Sequence, residues 1–303
     1  GGRLLAMQDR KFRVLILGRG EMGQAMEFLL APRHQVQTWQ RRPSAAETPL
    51  KLSQAVPASD FILFCLPATA HAEVAALIAP LRRNDSLCIT IAKGLDEAGQ
   101  LPGEVLAQAF GAPQVALLYG PMISEEIRAG KPAFAECGVT DRKCFEMINS
   151  LYQGSTLHLE YARDFTGLSW SVILKNVYAM AFGMADELNL GDNTRGYLSA
   201  HALRELSAIV QHLGGAAATP YRLAGLGDLI TTATSAGSHH HELGRRLVRG
   251  ETNLKGEGIH SLAMLEKFKL IGNDNFTLLR LIANSVREPS TTTRRMTDFI
   301  KNI

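Results

Sequence analysis

Between Phe12 and Leu159 the chain repeats one pattern: a short, nearly continuous apolar run, then a stretch long enough for a turn or a helix. The runs are Phe12–Gly18, Gln35–Trp39, Phe61–Leu66, Ser86–Ala92, Gln114–Tyr119, Ala133–Cys137 and Ser155–Leu159. Helical periodicity fits Met22–Leu30 and Ala70–Leu81 between them. A strand that is apolar on both sides has to be covered on both sides, and helix-length connections allow neighbouring strands to run parallel. The expectation is an α/β domain with a mainly parallel, doubly wound sheet of Rossmann type.

Near Asp164 the rhythm changes to long helical periodicity with almost no strand signal. Asp164 suits a helix N-cap, and the pattern runs to Leu190 with Gly191 as a stop. Further helices fit Asn193–Leu213, Glu242–Val248, Ser261–Leu270 and Phe276–Val286. Two domains follow, residues 10–163 for dinucleotide binding and residues 164–303 as an all-α catalytic domain, with the active site expected in the cleft between them.

The first run ends in Gly18-Arg-Gly20-Glu-Met-Gly23 and the first helix begins there. Between a strand and a helix this spacing has a mechanism. Gly18 permits the tight turn, Gly20 lets backbone approach a pyrophosphate, and Gly23 lets helix and strand pack closely. The helix start then offers unpaired N–H groups to the phosphates, which makes Glu21 and Met22 neighbours of the dinucleotide. About 20 residues on, an acid would select NAD through its ribose hydroxyls. The chain instead reads Trp39-Gln-Arg41-Arg42, so NADP(H) is favoured through its 2′-phosphate, with NAD(H) as an alternative use and a solvated charge pair as the plain reading.

Composition excludes other classes. The 32 basic and 29 acidic residues nearly balance, which gives no basic face for nucleic acid, and no apolar run reaches a membrane span. Cys65, Cys88, Cys137 and Cys144 form no CxxC pair and read as reduced, packed thiols. The opening Gly1–Ala6 is too short for a signal peptide and lacks an apolar core with a processed end, so the expected compartment is the cytoplasm. The expected partner is a small-molecule substrate; a homodimer is left open.

Several segments of the second half are distinctive. Leu174-Lys-Asn-Val-Tyr-Ala-Met-Ala-Phe-Gly-Met-Ala-Asp-Glu-Leu-Asn-Leu-Gly-Asp-Asn193 and Leu223-Ala-Gly-Leu-Gly-Asp-Leu-Ile-Thr-Thr-Ala-Thr234 resemble the catalytic segments of the NAD(P)-dependent glycerol-3-phosphate dehydrogenases. Ala92-Lys-Gly94, Tyr119-Gly-Pro121 with Glu126, and Gly256-Glu-Gly258 match in the same order, so the resemblance spans roughly residues 12–260. It implies hydride transfer between NAD(P)H and dihydroxyacetone phosphate, giving sn-glycerol 3-phosphate, a phospholipid precursor. It also implies Lys175 as acid/base, Asp228 as its orienter and Lys93 as a second cation near substrate and cofactor. Gly120, Asn176 and Thr232 would contact substrate, and Glu257 the cofactor.

Physical chemistry supports the lysine. The flanks Val172, Ile173, Leu174, Val177 and Met180 are apolar, so an ammonium there is partly desolvated, which eases proton exchange near neutral pH. Reducing a ketone needs a hydride and a proton, and a positioned lysine supplies the second. A snorkelling surface lysine, a turn-capping Asp228 and a solvated Lys93 are the plain alternatives.

One departure bears on the substrate. Where the family carries a Ser-Arg-Asn run that holds the substrate phosphate, this chain has Ser238-His239-His240-His241. The bidentate guanidinium is absent, and a histidine carries only part of a charge at pH 7. Arg245 and Arg246 lie just beyond as candidate substitutes. The histidine run reads either as a polar, mobile loop or as a loop facing substrate; adjacent histidines are poorly placed to share a metal ion, so no metal is expected. Two rival functions stay open: an NADP-dependent dehydrogenase of an unphosphorylated hydroxy acid or alcohol, and a non-catalytic dinucleotide-binding protein.

Overall fold

The computed structural model describes residues 10–235, 237–272 and 275–303; the opening Gly1–Ala6 lies outside them. Its contacts divide the chain into two compact units, the first running to Asp96 and resuming over Gln100–Phe165, the second comprising Glu97–Gly99 and Thr166–Ile303.

The first unit is built on seven strands: β1 (Arg13–Leu17), β2 (Gln35–Trp39), β3 (Phe61–Phe64), β4 (Leu87–Thr90), β5 (Val115–Tyr119), β6 (Ala133–Gly138) and β7 (Leu157–Ala162). Their order in the sheet is β2-β1-β3-β4-β5-β6-β7. The first five are parallel, β5 meets β6 antiparallel, and β7 runs parallel to β6. All seven apolar runs thus form strands. The reversal at β6 has a local cause: only a five-residue helix, α5 (Ser124–Arg128), stands between β5 and β6. That is too little to cross the sheet and return in the same direction.

Strand pleating explains why both faces are covered. Val14, Ile16, Phe61, Leu63 and Ile89 point to one side, where they pack with Ala25, Met26 and Leu29 of α1 (Glu21–Leu30). Leu15, Leu17, Ile62, Phe64 and Cys88 point to the other. There they meet Val74 and Ile78 of α3 (His71–Ile78) and Leu106 and Phe110 of α4 (Pro102–Phe110). Each such side chain, fully buried, contributes roughly 1.5–3 kcal/mol. Four helices of this unit lack a clear signal in the sequence: α2 (Leu52–Ala58), α4, α5 and α6 (Arg142–Tyr152). In α6 the Asp141 side chain accepts from Cys144 N at 2.8 Å, an N-cap that the sequence reading passed over. The four cysteines are free thiols, and burial pushes Cys65 and Cys88 up to about 12.

The second unit holds helices and, among the described residues, no strand. Its longest element is α7 (Phe165–Glu187), buried continuously from Gly167 to Ala185. A helix apolar on all sides is an interior helix. The expected extension to Leu190 is cut short at Glu187, because Asn189 and Gly191 take left-handed conformations (φ 54° and 84°) that turn the chain into α8 (Gly191–His212). The remaining helices are α9 (Asp228–Thr234), α10 (His239–Val248), α11 (Glu257–Lys267), α12 (Thr277–Arg287) and α13 (Thr292–Lys301). Two glycines bring α7 and α10 into backbone contact. A Cβ on Gly183 would fall 1.8 Å from His241 O, and one on Gly244 would fall 1.9 Å from Met180 O. No helix among the described residues is long and apolar enough to cross a membrane.

Candidate active site

The glycine turn lies where the sheet order changes direction. β1 has β2 on one side and β3 on the other, so a crevice opens at their carboxyl ends, the usual ligand position in such sheets. Gly18 has φ 106°, and a Cβ there would lie 2.2 Å from Cys65 O at the end of β3. At Gly23 a Cβ would lie 2.1 Å from Gly18 O. Only glycine fits either place. Gly20 differs: a Cβ there would meet no protein atom within 4 Å. The first helical bond of α1 runs from Gln24 N to Gly20 O, which leaves the earlier N–H groups of that turn without helical partners. A rigid turn backed by two close approaches, with open space before a helix start, fits the diphosphate of a dinucleotide.

The neighbouring expectations divide. Ser124 Oγ donates to Glu21 Oε2 at 3.3 Å, drawing that carboxylate toward α5. Met22 packs against the core rather than standing free over the turn. Gly18 N donates to Trp39 O at 2.8 Å, so the end of β2, and with it exposed Arg41 and Arg42, stands next to the turn. Arg41 pairs with Glu73, and Arg19 pairs with Glu47 at 3.1 Å. Lys93, half-buried, follows β4 by three residues at the same edge of the sheet. A Cβ on Gly120 would lie 2.4 Å from Phe134 O, so that glycine is required by packing against β6.

In the second unit four expected residues converge. Lys175 and Asp228, 53 positions apart, are 3% and 4% exposed. Lys175 Nζ lies 2.8 Å from Asp228 Oδ2, and donates to Asn176 Oδ1 at 2.6 Å and to Thr232 Oγ1 at 3.2 Å. Each of these partners accepts, as a donor-only ammonium requires. The Thr232 hydroxyl spends its own hydrogen on Asp228 O at 2.8 Å, which turns its lone pairs toward the lysine. Burial disfavours the charge on Lys175 and the carboxylate favours it, so desolvation is only half of its environment. A snorkelling surface lysine is excluded. Asp228 opens α9 after a π-helical turn, Leu223–Gly227, and a Cβ on Gly225 would lie 2.0 Å from Pro220 O. The glycines of this segment let the turn fold tightly enough to deliver Asp228 to α7.

The histidine run corrects the sequence reading. His239–His241 is the first turn of α10 and not a loop, with the Ser238 side chain accepting from His241 N at 3.5 Å as its cap. The three rings go to three places. His239 Nε2 donates to Lys255 O at 3.0 Å, and His240 Nε2 accepts from Gly258 N at 2.9 Å. His241 Nε2 meets Asp186 Oδ2 at 2.6 Å. The first two therefore grip the Gly256-Glu-Gly258 turn, which needs glycines because the rings sit on it: a Cβ on Gly258 would lie 2.8 Å from His240 Cδ2. Glu257 itself opens α11 and is exposed. Arg245 and Arg246, the candidate substitutes for the missing guanidinium, lie in the last turn of α10, bonded to Glu187 at 3.1 Å and Glu251 at 3.0 Å.

Sequence reasoning missed a second charged cluster. Asp186 on α7 is bonded at 2.5 Å to Arg195 of α8, whose Nη2 also donates to Ala233 O at 2.8 Å. Burial opposes ionisation of Asp186, but Arg195 and His241 outweigh it and hold the carboxyl below the usual range. The cluster joins α7, α8, α9 and α10, and so fixes the segment after Thr232. No local pattern announces it, since its members are 9 to 55 positions apart.

Residues 46–145 match the family profile described as NAD-dependent glycerol-3-phosphate dehydrogenase N-terminus, and residues 164–280 match its C-terminus. A glycerol-3-phosphate dehydrogenase (NAD(P)+) of Agrobacterium fabrum is 32% identical over 263 residues, 79% of this chain and 80% of that protein. Its counterpart in Deinococcus radiodurans is 31% identical over 299 residues, 90% of each. The fold is shared with the crystal structure of glycerol-3-phosphate dehydrogenase from Coxiella burnetii, TM-score 0.83 at 24% identity over 96% of this chain and 99% of that one. It is also shared, less closely, with a 2-dehydropantoate 2-reductase from Geobacter metallireducens, TM-score 0.61 at 16% identity over 91% of this chain and 99% of the other.

Proposed function

The chain belongs to the NAD-dependent glycerol-3-phosphate dehydrogenase family, and from that premise we propose that it interconverts dihydroxyacetone phosphate and sn-glycerol 3-phosphate, a phospholipid precursor. The observation that carries the proposal is the buried ammonium of Lys175, held by Asp228, Asn176 and Thr232.

A nicotinamide dinucleotide held at the Gly18–Gly23 turn would supply the hydride that the reduction needs. Lys175 donates the proton that the carbonyl oxygen needs as it becomes an alcohol, and is left as a neutral amine beside Asp228. Asp228 keeps the lysine oriented and favours its reprotonation from solvent. In the oxidation the same amine takes the hydroxyl proton. Asn176 and Thr232 help to hold Nζ and are proposed to contact the substrate. Lys93 adds positive charge for the developing alkoxide or for the substrate phosphate. Gly18, Gly20 and Gly23 seat the diphosphate, and Glu257, on the turn that the His239 and His240 rings hold, is proposed as a cofactor contact.

Preference for NADP(H) is part of the same proposal. Arg41 and Arg42 follow β2 where an NAD-selecting acid would stand in sequence, and the Arg41–Glu73 pair is solvent-exposed on both sides. Exposed pairs are worth roughly 0.2–1 kcal/mol, so Arg41 exchanges Glu73 for a phosphate dianion at little expense. The four free thiols support a cytoplasmic setting.

A second reading is favoured by the histidine run. His239 and His240, which stand where the family carries its phosphate-holding Arg-Asn pair, are bonded to backbone, and the nearby Arg245 and Arg246 are bonded to glutamates. Reduction of an unphosphorylated keto compound would use the same lysine. One assay decides: purified protein, NADPH and dihydroxyacetone phosphate, followed by nicotinamide absorbance. Rapid oxidation supports the phosphate substrate. Turnover only with unphosphorylated ketones replaces it with the second reading, and NADPH binding without turnover on any ketone defeats both.

A further inference from the structure

A buried chain of hydrogen bonds ties the segment after β3 to the end of β4 and finishes on Ala92, the residue before Lys93. It starts at His71, the first residue of α3, fully buried with its ring 5.2 Å from that of Phe64. Nδ1 lies 2.9 Å from Pro67 O, and Nε2 lies 2.8 Å from Thr90 Oγ1. Thr90 Oγ1 accepts from Ala92 N at 3.1 Å, and Ala92 O accepts from the Tyr119 hydroxyl at 2.7 Å.

Chemistry fixes the direction of every bond. A carbonyl can only accept, so Nδ1 carries the ring hydrogen and donates to Pro67. Burial pushes the His71 imidazole down to about 4, against smaller opposite pulls from the Pro67 carbonyl and Asp96. The ring is therefore neutral near pH 7, and Nε2 offers a lone pair to the Thr90 hydroxyl. With its hydrogen given to His71, Thr90 Oγ1 accepts from Ala92 N–H. Both the N–H and the C=O of Ala92 are thus fixed, and the next residue is Lys93.

These bonds are not needed to join the strands. The backbone ladder already pairs Phe61 with Leu87 through to Phe64 with Thr90. The side-chain chain begins where that ladder ends, and it acts on the two residues that lead out of it. Lysine has a flexible four-carbon stem, so where its ammonium can reach depends on how firmly its own backbone is held. Gly94 follows and brings no side chain to anchor the other flank.

We propose that His71, Thr90 and Tyr119 are positioning residues, which hold the Ala92–Lys93 backbone so that the Lys93 ammonium is aimed at the reacting carbonyl or its phosphate. The inference rests on the reading of Lys93 given above and extends it to three residues with no contact to substrate.

The test is a double-mutant cycle on the full chain, with kcat and KM measured for NADPH and dihydroxyacetone phosphate in wild type, Thr90→Val, Lys93→Ala and the double variant. Valine keeps the shape of threonine and deletes both bonds. Because a small displacement of a catalytic group can reduce rates by on the order of 100-fold, Thr90→Val is expected to lower kcat/KM by about 10- to 100-fold. In the Lys93→Ala background it should lower it no further, and Thr90→Ser should restore most of the loss. Equal losses in both backgrounds would overturn the positioning role while leaving Lys93 in place. Wild-type kinetics in Lys93→Ala would remove the reading of Lys93 and this inference with it. Absence of turnover in the wild type would instead defeat the proposed reaction. If Thr90→Val does not fold, Tyr119→Phe, which deletes only the bond to Ala92 O, takes its place in the cycle.

Discussion

Lys175→Met separates what the buried ion pair does for the fold from what it does for the reaction. Methionine is unbranched and near lysine in volume, so α7 keeps its packing and only the ammonium is lost. Two unit charges 2.8 Å apart attract by about 6 kcal/mol at an effective dielectric constant of 20, part of which offsets their removal from water. Both side chains are almost wholly inaccessible, at 3% and 5%. The variant therefore leaves the Asp228 carboxylate buried without its cation, at about 3–5 kcal/mol of destabilisation. Adding Asp228→Asn removes the stranded charge and should recover most of that loss, since replacing both members of a buried pair is often close to neutral. Activity should not follow. With the proton donor gone, kcat in both variants is expected to fall by roughly 10²–10⁴-fold. Urea unfolding read from Trp170, which lies on α7, reports the stability, in a Trp39→Phe background that silences the other tryptophan. A loss below about 1 kcal/mol for Lys175→Met would mean that the pair is wet and exposed. Recovery of turnover in the double variant would mean that Lys175 is not the proton donor.

Gly20→Ala should leave thermal stability within roughly 0.5 kcal/mol of wild type, because its φ is −72° and the added methyl meets no protein atom, yet weaken NADPH binding in a fluorescence titration. Gly18→Ala, forced against Cys65 O at a positive φ, should instead unfold the first unit. Arg41→Ala combined with Arg42→Ala should raise the Kd for NADPH more than that for NADH; equal changes would show that these arginines do not read the 2′-phosphate. His71 gives a pH dependence of stability. Its folded value is about 4 against an ordinary 6.5, so between those limits the unfolded chain binds a proton that the folded chain excludes. Stability should fall as pH drops through that window, by up to about 3 kcal/mol, and His71→Gln should flatten the fall in an acid-unfolding series.

The strands and the phosphate turn were legible in the sequence because both are set by near neighbours. Every position in Phe61–Phe64 is apolar, which demands cover on two faces, and the Gly18, Gly20 and Gly23 spacing demands a tight turn into a helix. The resemblance extended this to Lys175 and Asp228 as a pair. Local reading ended where contacts run between distant segments. The sequence of Ser238–His241 reads as a loop, but Gly244 against Met180 O and Gly183 against His241 O seat that segment on α7 as a helix. Arg245 and Arg246 look available until Glu187 and Glu251 are found beside them. Which nitrogen of His71 carries the proton, and that its ring bears on Lys93 at all, depends on a carbonyl, a hydroxyl and a peptide N–H meeting at one buried point. Periodicity along a chain encodes which faces must be buried. Which polar atoms then meet inside, and in what direction their hydrogens run, is decided only when elements far apart in sequence pack together.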